Sequence, residues 1–200
     1  MRIAIVAPSP IPFVMGGAER LWLGLQHHLS AVAGHDCELI KVPIREGNLL
    51  ELVRAYRSFA ELDLSHYDRV ISTKYPAWAV SHPRHSVYMQ HKLRGLYDTY
   101  HFSGQPENIP ADLGAYGPIR KDLLTLVDEG PAAISGLIEV LSQLEAALSE
   151  GALDAELVRF PGPVARDVIH LLDRVAMHPA RIERFAAQSH TVARLSLIHI

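Results

Sequence analysis

Apolar runs and amphipathic stretches take turns along the first half of the chain. Ile3, Ala4, Ile5, Val6 and Ala7 form an unbroken apolar run that stops at Pro8-Ser9-Pro10. This is the pattern of a strand buried on both faces, as in a parallel sheet. After a short loop and Gly16-Gly17, apolar residues recur at helical spacing through Ala18, Leu21, Trp22, Leu25, Leu29 and Val32, and Gly34 supplies a stop. The same reading predicts a strand over residues 37–44, a helix from about 49 to 62, and strands over 69–73 and 86–89. The last of these follows the turn His82-Pro83-Arg84-His85. Strands alternating with helices predict an α/β fold, a Rossmann-like doubly wound and mainly parallel sheet with right-handed crossovers.

The pattern changes over residues 117–177, which read as helices with no convincing strand. Ile134, Leu137, Ile138, Leu141, Leu144 and Leu148 make one apolar stripe ended by Gly151, and Pro161-Gly162-Pro163 separates it from a helix over 164–176. The stripes read as helix-to-helix core. A membrane-docking face is disfavoured, because the polar faces lack Lys and Arg. Residues 181–189 look like a helix leading into a new strand that no later helix covers. The final hexapeptide, 195–200, resembles a translated adapter tail and is read as non-native. One domain is therefore expected over residues 1–194, with a helical insert at about 117–177.

Composition narrows the setting. Of the 200 residues 48% are hydrophobic and 20% charged, so a sizeable core is within reach. A net charge of -3 leaves no electrostatic footprint for nucleic acid. The lone Cys37 excludes an internal disulfide and reads as a buried strand thiol in a reducing compartment. No stretch approaches the ~20 apolar residues of a membrane span, and the opening run is too short for a signal peptide. A cytoplasmic protein is expected, with peripheral association at the inner face of the membrane left open.

Two segments could carry chemistry. Met15-Gly16-Gly17-Ala18-Glu19-Arg20 is a strand-to-helix turn whose glycines permit positive φ and close ligand approach, at a helix end that favours an anion. It matches neither G-x-G-x-x-G nor a Walker loop, and a merely tight turn explains it equally well. Glu19 would repel a phosphate there and reads as a cap. The second segment runs from Tyr88 through Gln90, His91, Lys92 and Arg94 to Tyr97-Asp98. His91 falls at the carboxyl end of a predicted strand, where open α/β sheets bind ligands. Lys92 and Arg94 add positive charge, Arg94 with bidentate reach, and Lys74 at the end of the preceding strand could face the same cleft. The histidine pairs His27-His28 and His82/His85 have no ligand spacing, so no metal is expected. No Ser elbow or Cys/His pair is apparent.

Strand, Pro-x-Pro and Gly16-Gly17-Ala18-Glu19-Arg20, followed by the His91 segment, resemble the opening of retaining GT-B glycosyltransferases of the family-4 type. The resemblance covers about residues 1–104 and 181–194 and leaves the helical insert unplaced. It implies a nucleotide-sugar donor as substrate, an acceptor, and no cofactor. Gly16 and Gly17 would border the donor diphosphate, His91 would contact the transferred sugar, and Arg94 and Lys74 would support the phosphate side. It also implies a second, C-terminal α/β domain that is absent from these 200 residues. Alone, the chain is then expected to bind donor weakly or not at all, without turnover. The alternatives are half of a GT-B-like nucleotide-sugar epimerase and a stand-alone flavodoxin-like module for a nucleotide or partner. Acceptor recognition is the expected role of the insert.

Overall fold

A computed structural model describes residues 1–197 apart from 11, 12, 14, 131 and 132. Five strands, β1 (Arg2–Pro10), β2 (Asp36–Ile44), β3 (Arg69–Ser72), β4 (His85–Met89) and β5 (Arg184–Ala187), form one all-parallel sheet in the order β2-β1-β3-β4-β5. The chain leaves β1 toward one edge to lay down β2, then returns past β1 to lay down β3. The loops after β1 and β3 therefore diverge, which opens a crevice at the carboxyl ends of these strands.

Alternate residues of the strands face two separate cores. Ile3, Ile5 and Cys37 are buried together with Leu25 and Leu29, so helix α1 (Gly17–His27) and the π-helical turn after it (His28–Val32) cover one face. Ala4, Val6, Val70, Val87 and Met89 face the other way. They join the main core with helices α2 (Leu49–Ala60), α3 (Tyr116–Glu129), α4 (Ala133–Ser149) and α5 (Pro163–Ala176). Helices on both faces of a parallel sheet make the doubly wound α/β architecture that the alternation predicted. Asn48 starts α2 by accepting a hydrogen bond from Glu51 N at 2.9 Å. Leu52, Val53, Tyr56 and Phe59 then turn a fully buried stripe to the sheet.

The helical insert is the β4-to-β5 crossover itself. Leu137, Leu141 and Leu144 of the predicted stripe are fully buried and Ile138 and Leu148 partly so, while the side chain of Ile134 lies outside the described residues. Glu145 of α4 receives both Arg54 (2.8 Å) and Arg57 (3.1 Å) from α2. Pro163 is the first residue of α5, where its missing N–H costs nothing. The most deeply tied residue of α5 is Asp173, 1% exposed. Its carboxylate accepts from the Tyr56 hydroxyl, from Trp78 Nε1 at 2.7 Å and from the Tyr97 hydroxyl at 2.6 Å. Through these three donors α5 grips α2, the β3–β4 connection and the segment after β4.

The carboxyl end departs from expectation. The helix expected at the start of residues 181–189 is replaced by β5, which pairs Arg184, Phe185, Ala186 and Ala187 with residues 86–89 of β4. A helix, α6 (His190–Leu197), then follows β5 where none was expected. Ser189 starts it by accepting from Val192 N through Oγ at 3.2 Å. Pairing of 184–187 to the available edge of β4 overrides the helix expected within 181–189. Of the predicted tail, the backbone of 195–197 continues α6, whereas 198–200 lie outside the described residues.

Candidate functional site

The crevice edge collects the segments after β1, β3 and β4. Gly16 is the N-cap of α1 and Gly17 its first residue. Neither has positive φ; Gly16 sits at φ −115°, so the left-handed conformation expected of this turn is not used. Close approach applies to Gly16 alone. A Cβ on Gly16 would lie 3.0 Å from Glu19 Oε2, whereas one on Gly17 would meet nothing within 4 Å. Glu19, 9% exposed, folds back so that its carboxylate accepts from Gly16 N at 2.8 Å. The cap expected of Glu19 is present, and it puts a negative charge on the N–H that a bound anion would want.

β3 delivers Thr73, Lys74 and Tyr75 to the same edge. Thr73 Oγ1 donates to Val6 O at 3.2 Å, locking the end of β3 to β1. The peptide between Tyr75 and Pro76 is cis. Tyr75 is buried beneath Lys74, whose Nζ lies 5.3 Å from the tyrosine ring centre. Burial, together with the nearby Glu46 carboxylate, raises the Tyr75 hydroxyl far above its ordinary range. It remains a neutral donor.

β4 delivers the histidine. The His91 ring lies 6.3 Å from that of Tyr75, and its Nδ1 is 2.9 Å from Lys92 O. A carbonyl only accepts, so Nδ1 carries the proton and the neutral ring presents Nε2 as an acceptor. Burial lowers the His91 pKa, the Lys92 carbonyl opposes that, and the charges of Lys74 and Arg94 lower it further. Lys74 and Arg94 thus both lie within electrostatic reach of His91. Arg94 is the outermost, with Nε donating to Asp98 at 2.9 Å and its side chain 63% exposed.

Lys92 goes inward instead. It is 8% exposed, with Nζ 4.7 Å from the Tyr97 ring centre. Burial lowers its pKa and Asp173 opposes the shift. Burial likewise raises the Asp173 carboxyl, against the pull of Lys92 and of its three donors. The segment carrying His91 and Arg94 is therefore held from beneath by Tyr97, which donates to Asp173 and lies under the Lys92 ammonium.

The sequence reading singled out neither Tyr75 nor Asp173. A Tyr-Pro step after a strand is a detectable signal for Tyr75. An aspartate midway along a helix gives none, because its partners are distant in sequence. Two surface hollows, one lined by Pro110, Asp112, Gly114, Asp154 and Leu157 and the other by Val127, Asp128, Arg174, His178 and Pro179, contain none of the candidate residues. Among the described residues no group of three or more His, Cys, Asp or Glu is placed to hold a metal ion, and no helix is long and apolar enough to cross a membrane. No known protein family matches the chain, and no curated protein or solved structure was found to match it.

Proposed function

We propose that this chain is the N-terminal, acceptor-side part of a retaining glycosyltransferase that uses a nucleotide-sugar donor. The observation that carries the reading is His91, a neutral imidazole with an accepting Nε2 at the carboxyl end of β4, in electrostatic reach of Lys74 and Arg94. In sugar transfer the bond from the anomeric carbon to the diphosphate oxygen breaks, and its electron pair leaves with the diphosphate. The acceptor oxygen bonds to the same face of that carbon, and its proton passes to the departing phosphate oxygen. Positive charge grows on the ring, making its hydroxyls stronger donors, and Nε2 of His91 gains strength as their acceptor. Lys74 and Arg94 meet the negative charge that grows on the diphosphate. Gly17, open above its Cα, admits the ligand beside α1. The nucleotide is gripped by a second α/β domain, and work at the inner membrane surface belongs to this proposal as well.

A second reading is a flavodoxin-like binding module, favoured by the strand order β2-β1-β3-β4-β5, which that architecture shares. Calorimetry separates the two. The protein, produced together with any α/β domain its reading frame supplies after Arg194, is titrated with UDP-, GDP- and ADP-sugars and with flavin mononucleotide. One nucleotide sugar is expected to bind and to support transfer, with His91→Ala lowering the rate roughly 10²- to 10³-fold. Flavin binding, or no heat with any nucleotide sugar, sinks the glycosyltransferase reading.

A further inference from the structure

Among the described residues, three polar atoms of Trp22 in α1 and of Gln90 after β4 are buried without a hydrogen-bond partner. Gln90 directly follows β4 and is 4% exposed, and among the described residues neither its Oε1 nor its Nε2 has a hydrogen-bond partner. Its backbone is committed, donating to Thr73 O at 3.1 Å, so the residue is fixed at the carboxyl end of the β3–β4 pair. Trp22, in the second turn of α1 and fully buried, likewise leaves its indole Nε1 without an acceptor. Met89 faces the core shared with α2, so Gln90, one residue on, turns toward the opposite face, where α1 packs against β2 and α6 packs against β4 and β5. Because α1 follows β1, it begins at this same carboxyl edge.

Native interiors leave few polar side chains unpaired, and those that remain call for a reason. We propose that Gln90 is a specificity-determining residue of the crevice, reading neighbouring hydroxyl groups of a neutral sugar ring. The inference rests on the glycosyltransferase reading and names the part of the donor or acceptor that Gln90 meets. A primary amide offers one acceptor and two donor hydrogens. Adjacent hydroxyls both donate and accept, so a diol satisfies both ends of the amide at once. A phosphate only accepts, and would leave Oε1 facing negative oxygens. Glu19, whose carboxylate already holds Gly16 N at 2.8 Å, adds negative charge at the start of α1 and strengthens that preference. The cationic groups Lys74 and Arg94 lie within electrostatic reach of His91 and serve the phosphate side of the same crevice. Both amide atoms of Gln90 are shielded from solvent, so engaging a ligand takes a rotation about its side-chain bonds. That rotation gives up no hydrogen bond.

The test is a nuclear magnetic resonance titration, which detects millimolar binding, of the isotopically labelled chain produced together with any α/β domain its reading frame supplies after Arg194. The probes are UDP-glucose, GDP-mannose and ADP-glucose, each run against its free nucleoside diphosphate. A nucleotide sugar is expected to shift the Gln90 side-chain amide signals, which the free diphosphate leaves in place. Gln90→Met, which removes both polar atoms at nearly constant volume, is expected to weaken the nucleotide sugar about tenfold or more. Affinity for the diphosphate should stay within about twofold. That split supports the inference whatever happens to the melting temperature. Equal affinity of both forms for the nucleotide sugar, or an equal loss for sugar and diphosphate, overturns it and leaves the glycosyltransferase reading standing. If no nucleotide sugar shifts any signal of the unaltered chain produced with that domain, both readings fall together.

Discussion

Asp173 is where one side chain does most for the fold. Removing it strands two phenol hydroxyls and an indole N–H in the interior. It also removes the negative charge that favours the buried Lys92 ammonium. Asp173→Ala is expected to cost about 3–5 kcal/mol in urea unfolding. Tyr97→Phe, which deletes a single donor, should cost about 1 kcal/mol. Equal, small effects would mean that the three donors act independently of the carboxylate. His85 supplies the clearest dependence on pH. It is 1% exposed, 2.8 Å from Ser72 Oγ, and its pKa is lowered to about 3, by burial first and then by Arg181. The unfolded chain therefore binds a proton near pH 6.5 that the folded chain refuses until about pH 3. The stability His85 contributes is present above pH 6.5 and is lost as the pH falls toward 3, at up to about 1.4 kcal/mol per pH unit. His91, whose pKa is also lowered, adds in the same direction. Melts between pH 7 and 5 should show this slope in the unaltered protein and a shallower one in His85→Gln. An unchanged slope would place the acid sensitivity elsewhere. Neither residue was legible in the sequence as a buried polar anchor. An aspartate inside an amphipathic helix reads as solvent-facing, and a histidine closing the turn His82-Pro83-Arg84-His85 reads as turn. What buries them is supplied by elements far along the chain.

At the scale of elements, legibility follows locality. The strands over 3–7, 37–44, 69–73 and 86–89 and the helix near 49–62 are set by runs and caps close at hand, and they stand in the structure within a few residues. His91 at the end of β4 was legible for the same reason. The start of α5 was also visible, through Pro161-Gly162-Pro163, but its tightness was not. A Cβ on Gly162 would lie 2.4 Å from Arg159 O, a backbone atom with little room to retreat. A cap position ordinarily tolerates such a change within a few tenths of a kcal/mol. Gly162→Ala is instead expected to cost about 1–3 kcal/mol, read as a lower midpoint in denaturant at unchanged cooperativity. A neutral outcome would show that the 159–162 turn relaxes freely. The β5 segment was misread because its local composition and its pairing disagree. Likewise, α3 to α5 looked like an addition to the fold, although Leu137, Leu141, Val168 and Leu172 belong to the one core that includes Val6 and Val87. Excising residues 117–160 would therefore remove core as well as any acceptor-binding surface.

For the molecule as a whole, alternation of strand and helix announced the α/β class, while the order β2-β1-β3-β4-β5 emerges only from the pairing. That order puts the crevice between β1 and β3, and brings Gly17, Lys74 and His91 to one edge from three separate stretches of chain. The Asp173 carboxylate bears on how such a molecule comes into being. Its three donors precede it by 117, 95 and 76 residues. On a growing chain, Tyr56, Trp78 and Tyr97 are made long before the group that satisfies them. The first four strands can pair early, yet the layer over them cannot seal until α5 has been synthesised. Closure is thus postponed until α5 has emerged, with loop-closure entropy opposing it until that last partner arrives.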